Sequence, residues 1–224
     1  MPESIVECKP RPRDRVFIRL SGGRFFTIPA SETPPLRAGA TLSDEEIETL
    51  SRIDQYVRGR EKAFRLLAIR PRSRWEVQCA LDAMALTTSI RDGVLLELEE
   101  QGLVDDARFA REFVRSQVDI RRFGPHRLRF DLKKRGVSAS IIDEALTAEL
   151  DDERQEAAAR EIVSKTLGQR RAGEGDIRRL GALLKRKGLD YGIINRVLYE
   201  ALRRPELVDE ETFDDDQQSE EERD

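Results

Sequence analysis

Apolar residues recur at helical spacing along most of this chain, and in one short stretch they alternate instead. In "RVFIRL" the residues Val16, Ile18 and Leu20 share one face with a period of two, "SGGR" turns the chain, and "FFTIPA" runs back, which predicts a β-hairpin. Two strands are marginal alone and the Pro-rich "PASETPPLRAGA" that follows reads as a linker, so the hairpin is expected as an appendage packed on some other element. From Ser43 the period changes. Ser43 and Glu46 form a capping-box pattern, and Ile47, Leu50, Ile53, Val57, Phe64, Leu67 and Ala68 continue one stripe toward Arg70, as one long helix or two abutting ones. Pro71 stops it and Ser73 caps the next helix. A third helix covers Thr88 to Gln101 and ends at Gly102, and a fourth is capped by Asp105 and carries the stripe Phe109, Ala110, Phe113, Val114 and Val118. Pro125 and Gly136 bracket a fifth, and Ile141, Ile142, Ala145, Leu146 and Leu150 mark a sixth. Three more are predicted near Asp151 to Leu167, Asp176 to Lys187 and Asp190 to Arg203.

The pattern repeats. "LKKRGVSASIIDEALTAEL", beginning at Leu132, returns 52 residues later as "LKRKGLDYGIINRVLYEAL", beginning at Leu184, and the match extends upstream to Arg127 with Arg179 and Leu128 with Leu180. At an offset of 51 an earlier segment fits more loosely: Val77 meets Leu128, Leu81 meets Leu132, Ile90 meets Ile141 and Leu95 meets Leu146. There Ala85 stands in place of the glycine and Arg91 where an isoleucine would pack. Such units are too small to bury their own stripes and lean on their neighbours. The expected fold is mainly α: three tandem three-helix repeats in an elongated helical array, with a small N-terminal β-hairpin and a disordered acidic C-terminal tail. The boundaries fall at 1–42 for hairpin and linker, 43–103, 104–150 and 151–205 for the modules, and 206–224 for the tail.

Composition sharpens this. Charged residues make up 38% of the 224 positions, and no apolar run reaches the length of a membrane span, so a soluble cytoplasmic protein is expected. Cys8 and Cys79 lie far apart without CxxC or Cys/His spacing, so reduced thiols are expected rather than a disulfide or a zinc site. The net charge of −4 hides a split: Glu206 to Asp224 holds eleven acids and one arginine, which leaves +6 on residues 1–205. A segment of that composition cannot bury enough surface to fold.

Catalysis finds little to work with. There is no phosphate-binding GxxxxGK, no GxSxG, and a single histidine, His126, which stands at a helix start among arginines and reads as a surface residue. Asp105 and Asp106 open a helix, where carboxylates complement the backbone donors, and so read as caps rather than a metal pair. Trp75 reads as a packing anchor. No enzyme, metal or cofactor is expected.

Positive charge is the stronger signal. Arg108 to Arg135 holds ten basic residues against three acids, and Arg170 to Lys187 seven against two. Part of this supports helix C-termini, but Arg121 and Arg122, ahead of the fifth helix, add charge that the helix dipole does not explain. The candidate filament- or DNA-binding residues are Arg121, Arg122, Arg127, Arg129, Lys133, Lys134, Arg135, Lys185, Arg186 and Lys187. Phe123 and Phe130 are the aromatics among them, too few to suggest a dedicated stacking platform. Repeated basic helices suit a polymer with a repeat of its own, a nucleic-acid backbone or a protein filament.

"AFRLLAIRPRSRWEV", "GLVDDARFAREFVRS", "FGPHRLRFDLKKRGVSASIIDEAL" and the weaker "LLKRKGLDYGIINRVL" resemble the RecX family, regulators of the bacterial recombinase RecA. The resemblance runs from Glu61 to Leu202 and departs from the family at Ala85 and at Cys79-Ala80, where the first module loses basic character. It implies three tandem three-helix repeats and a non-enzymatic modulator, usually an inhibitor, that lies in the groove of the RecA filament on DNA. That role places the protein in DNA recombination, repair and the SOS response. The expected partners are therefore the RecA filament and single- or double-stranded DNA, with no membrane, and the protein is expected to be a monomer. A general helical DNA-binding protein and a structural adaptor without a nucleic-acid role stay open beside it.

The acidic tail is tethered to a basic body, which gives it a high effective concentration as an internal competitor for DNA. Deleting 206–224 is expected to tighten binding to single-stranded DNA in low-salt titrations. The difference should shrink as salt shortens the Debye length to about 10 Å at 0.1 M.

Overall fold

The computed structural model describes residues 2–32, 36–168 and 172–203; the acidic tail lies outside them. The chain forms strands β1 (Glu3–Arg11), β2 (Arg15–Leu20), β3 (Phe25–Pro29) and β4 (Thr41–Leu42). The helices are α1 (Asp44–Leu67), α2 (Arg74–Asp82), α3 (Thr88–Glu100), α4 (Asp106–Arg121), α5 (Pro125–Lys133), α6 (Ala139–Glu149), α7 (Asp152–Leu167), α8 (Glu174–Lys187) and α9 (Tyr191–Arg203). Two compact units result. Among the described residues, one holds those within 2–109 together with Arg135–Val137, and the other holds Ala110–Lys134 together with those within 138–203.

In the first unit the expected hairpin is present as β2 and β3, but it is one side of a four-stranded antiparallel sheet ordered β3-β2-β1-β4, with β3 at the edge. The alternation that betrays β2 is broken in β1 by a bulge between Ile5 and Glu7, so Ile5 and Cys8, an odd distance apart, both face the core. The segment expected as a linker contributes Leu36 and Ala40 to the edge of that core, and β4 pairs with Glu3 and Ser4. The sheet is no appendage: Ile5, Ile18, Leu20, Phe26 and Ile28 bury their side chains with Ile47 and Leu50 of α1. Ala63, further along α1, belongs to a second core with Val77, Leu81, Val94, Leu95, Leu98 and Val104. One uninterrupted helix therefore serves both, ending at Leu67 rather than Arg70.

Both predicted serine caps form. Ser43 Oγ accepts from the Glu46 N–H at 3.2 Å, and the Glu46 carboxylate accepts from the Ser43 N–H at 2.7 Å. Ser73 makes the same box with Glu76 and also donates its hydroxyl proton to the Arg135 carbonyl at 2.6 Å. Asp105 and Asp106 serve different helices. Asp105 Oδ1 accepts from Arg108 N at 2.9 Å and caps α4, whereas Asp106 Oδ1 accepts from Arg74 N at 2.7 Å in the first turn of α2. Burial pushes the Asp106 carboxyl above its ordinary range.

The repeat is visible in the helix ends. Gly136 and Gly188 sit in the left-handed region at φ 72° and 81°, and Ala85, at the equivalent place after α2, adopts φ 54° despite its Cβ. Arg91 pairs with Asp82 and Asp92. The stripe pairs also match in burial: Val77, Leu128 and Leu180, then Leu81, Leu132 and Leu184, are all completely buried.

In the second unit α5 packs on α6, and α7, α8 and α9 enclose a core of Ala159, Val163, Leu180, Leu184, Ile193, Ile194 and Val197. The start of α5 meets the end of α8 backbone to backbone. Gly124 N–H donates to the Lys187 carbonyl at 2.9 Å and His126 N–H to the Gly188 carbonyl at 3.1 Å. These bonds satisfy orphan donors of one helix with orphan acceptors of the other. A Cβ on Gly124 would lie 2.4 Å from Gly188 O, and one on Gly188 2.3 Å from Arg127 N.

Gly188→Ala is expected to cost about 3 kcal/mol, since it adds a steric clash with backbone to left-handed strain. Ala85→Gly removes only strain and should gain about 1 kcal/mol or less, raising the thermal midpoint by roughly 2–4 °C. Thermal unfolding of the two variants checks both signs.

Candidate functional site

The second unit gathers most of the predicted cations around α5. Phe123 precedes the helix, and Arg127, Phe130 and Lys134 follow it at intervals of four, three and four residues, so all four share one face. Lys187 joins from α8 because the glycine junction brings that helix end to Phe123. The Lys187 ammonium lies 5.2 Å from the Phe123 ring centre, and the Arg127 guanidinium lies 5.5 Å from Phe123 and 6.0 Å from Phe130. Lys134 Nζ sits 4.6 Å from the Phe130 ring. Cations and rings alternate in a ladder, Lys187, Phe123, Arg127, Phe130, Lys134, within cation–π range at every step. Phe130 is 51% exposed, so its ring also meets solvent.

Around the ladder the predicted residues divide by what holds them. Lys133, Arg186 and the Arg121 side chain are exposed and have no partner among the described residues. Lys185 is exposed and lies 5.5 Å from the Tyr191 ring. Lys187 Nζ donates to the Arg121 carbonyl at 2.7 Å. Its burial, with Arg121, Arg186 and Arg122 nearby, lowers its pKa below that of an ordinary lysine. Arg127 also bonds Asp131 at 3.0 Å, one turn on, and Arg129 pairs with Asp143 of α6.

Arg122 and Arg135 are structural ties. Arg122 turns the chain after α4 with φ 56° and forks onto both carboxylate oxygens of Glu161 in α7. With Lys165 alongside, that fork brings the Glu161 carboxyl down to about 2. In the first unit Arg135 Nη1 bonds Glu76 at 2.8 Å, and Glu76 also holds Arg70 at 2.9 Å. Next to Arg135, Gly136 lies so close to Trp75 that an added Cβ would be 2.3 Å from the Trp75 Cβ. Trp75 thus covers the turn, although 47% of its surface is exposed. His126 is exposed, with Nε2 3.0 Å from Asp190 Oδ1.

The ladder's aromatic part was readable as the spacing 123, 127, 130 and 134 on one helix face. Its Lys187 end was not, because that approach depends on tertiary packing. Among the described residues no group of three or more His, Cys, Asp or Glu side chains is placed to hold a metal ion, and no helix is long and apolar enough to cross a membrane.

The family description "RecX, second three-helix domain" matches residues 105–146, from the start of α4 into α6. A regulatory protein RecX from Streptomyces lividans is 34% identical over 166 residues, which cover 73% of this chain and 88% of that protein. A crystal structure of regulatory protein RecX superposes with a TM-score of 0.66 at 22% identity, covering 87% of this chain and 98% of the other. The RecX of Lactobacillus salivarius gives 0.61 at 23%, over 66% and 97%. The two structures establish the likeness of fold, and the Streptomyces sequence carries that likeness to the level of descent along nearly the whole relative: the chain belongs to the RecX family.

Proposed function

We propose that this protein binds the RecA filament on DNA and lowers its ATPase and strand-exchange activity, working as a cytoplasmic monomer without catalysis or cofactor of its own. The observation that carries the reading is membership of a family of regulatory proteins along most of the chain. The cation–aromatic ladder of α5 and the exposed ends of Lys133, Lys185 and Arg186 support it as a surface suited to a polyanionic filament. On this reading α1 to α9 act as three modules, 43–103, 104–150 and 151–205, and the protein serves recombination, DNA repair and the SOS response. A second reading, general DNA binding, is favoured by the same ladder, since alternating cations and rings also suit bare nucleic acid.

The DNA-dependent ATPase of preformed RecA filaments separates the two. Inhibition is expected to persist in excess competitor DNA. An unchanged rate at saturating protein would sink the filament reading, and full recovery with competitor would leave general DNA binding in its place.

Changing Lys133, Lys134, Lys185 and Arg186 together to Gln should weaken filament and DNA binding and lower the salt slope by about one for each phosphate that is no longer neutralised. The melting temperature should stay nearly constant, because exposed charges contribute little to stability. Arg135→Gln should do the reverse, lowering the melting temperature while leaving the salt slope close to that of the unmodified protein.

A further inference from the structure

The outward face of the N-terminal sheet has no role in the reading above. Its registers place side chains in rows across three strands: Glu7, Arg19 and Phe25, then Lys9, Phe17 and Thr27, then Arg11, Arg15 and Pro29. The opposite faces of the same strands carry Ile5, Ile18, Phe26 and Ile28 into the core, so these rows point away from it, except that Arg15 turns to pair with Glu61 of α1. Phe17 and Phe25 stack with ring centres 6.2 Å apart and planes 28° from parallel. Phe25 is 66% exposed, an expensive position for a phenyl ring unless something covers it.

The surroundings say what would cover it. Lys9, Arg11 and Arg19 are exposed beside the rings, Arg11 lies 5.2 Å from the Phe17 centroid, and Glu7 is the acid among them. Glu7 bonds Lys9 at 2.6 Å and Arg19 at 3.0 Å, which fixes both cations next to the rings and leaves the group at a net +2. Phe25 also borders an open cleft of about 580 Å³, lined by Gly22, Arg24, Asp54, Arg58 and Ala85 among others. Glu3 orients Arg24 there, and Asp54 holds Arg58 at 3.5 Å. An apolar protein segment would leave these cations without counter-charge, whereas a strand with flat bases and a phosphate backbone satisfies rings and cations together.

We propose that this sheet face is a second binding site, for single-stranded DNA, in which Phe25 and Phe17 stack bases while Lys9, Arg11 and Arg19 bind phosphates. Only the choice of DNA over RNA rests on the function proposed above; the stacking and charge do not. The site shares no residue with the α5 ladder and needs no duplex, since a base inside a helix cannot reach an exposed ring.

The test uses the full chain and a fluorescein-labelled oligo(dT) at low salt. Phe25→Leu keeps an apolar side chain and removes the flat ring, and should weaken binding about tenfold, both alone and in the background of the four Gln changes on α5 and α8. Phe25→Trp should retain binding and lose indole emission as oligo(dT) is added, beyond any change from Trp75 in the unmodified protein. Unchanged affinity for Phe25→Leu together with unquenched emission for Phe25→Trp overturns the proposal. Equal affinity for a duplex overturns the stacking, and tighter binding to oligo(U) overturns the choice of DNA. The RecA ATPase assay reports the filament function independently: Phe25→Leu with full inhibition but weak oligo(dT) binding supports the sheet site, and lost inhibition with normal oligo(dT) binding refutes it.

Discussion

The meeting of Gly124 and Gly188 constrains the second unit more than any other feature. Two helix ends approach until backbone touches backbone, and the distances of 2.3–2.4 Å that a Cβ would meet exclude any side chain at either position. Gly124 offers α5 no side-chain cap, so the carbonyls of Lys187 and Gly188 act as the cap instead. The partial charges at the two helix ends are opposite, so the same geometry is electrostatically favourable. Lys187, the last of the three cations that close α8, is thereby brought to the aromatic start of α5. The Lys187 end of the ladder is a consequence of this junction, and a shift of one helix turn would remove that rung while leaving the part within 123–134 intact.

Counting cations along the chain overstates the basic surface. The stretch from Arg108 to Arg135 looks strongly positive, yet acids from later segments return to neutralise much of it: Glu149 holds Arg115, Glu161 holds Arg122 and Asp143 holds Arg129. The planar guanidinium suits such forked pairs, and arginines take most of these ties. Lys133, Lys134 and Lys185 are left at the surface. What a partner would meet is therefore Lys133, Lys134, Lys185 and a few arginines, a smaller surface than the composition suggests.

Much of the helical architecture could be read directly. Period, caps and glycine stops placed the helices because each rests on local chemistry: Ser43 with Glu46, Ser73 with Glu76, Gly136 and Gly188 in left-handed turns. The sheet was half legible. β2 and β3 alternate cleanly, but β1 hides behind its bulge and β4 is two residues long, too short for any period. Ala85 looked like a break in the repeat, and the structure shows the same turn made with a less suitable residue. The site was least legible, since whether an arginine is tied or free depends on an acid dozens of residues away.

The long α1 gives the first unit a mechanical property. Its first turns are the floor of the sheet through Ile47 and Leu50, and its later turns are a wall of the α2–α3 core through Ala63. Neither core can be dismantled without uncovering part of a helix whose other end is still engaged, so loss of order at one end is transmitted along the rod to the other. Sheet and helices of this unit are thus one cooperative folding body. A chain shortened to begin at Ser43 would carry an orphaned apolar stripe into solvent, and self-association would be its readiest escape.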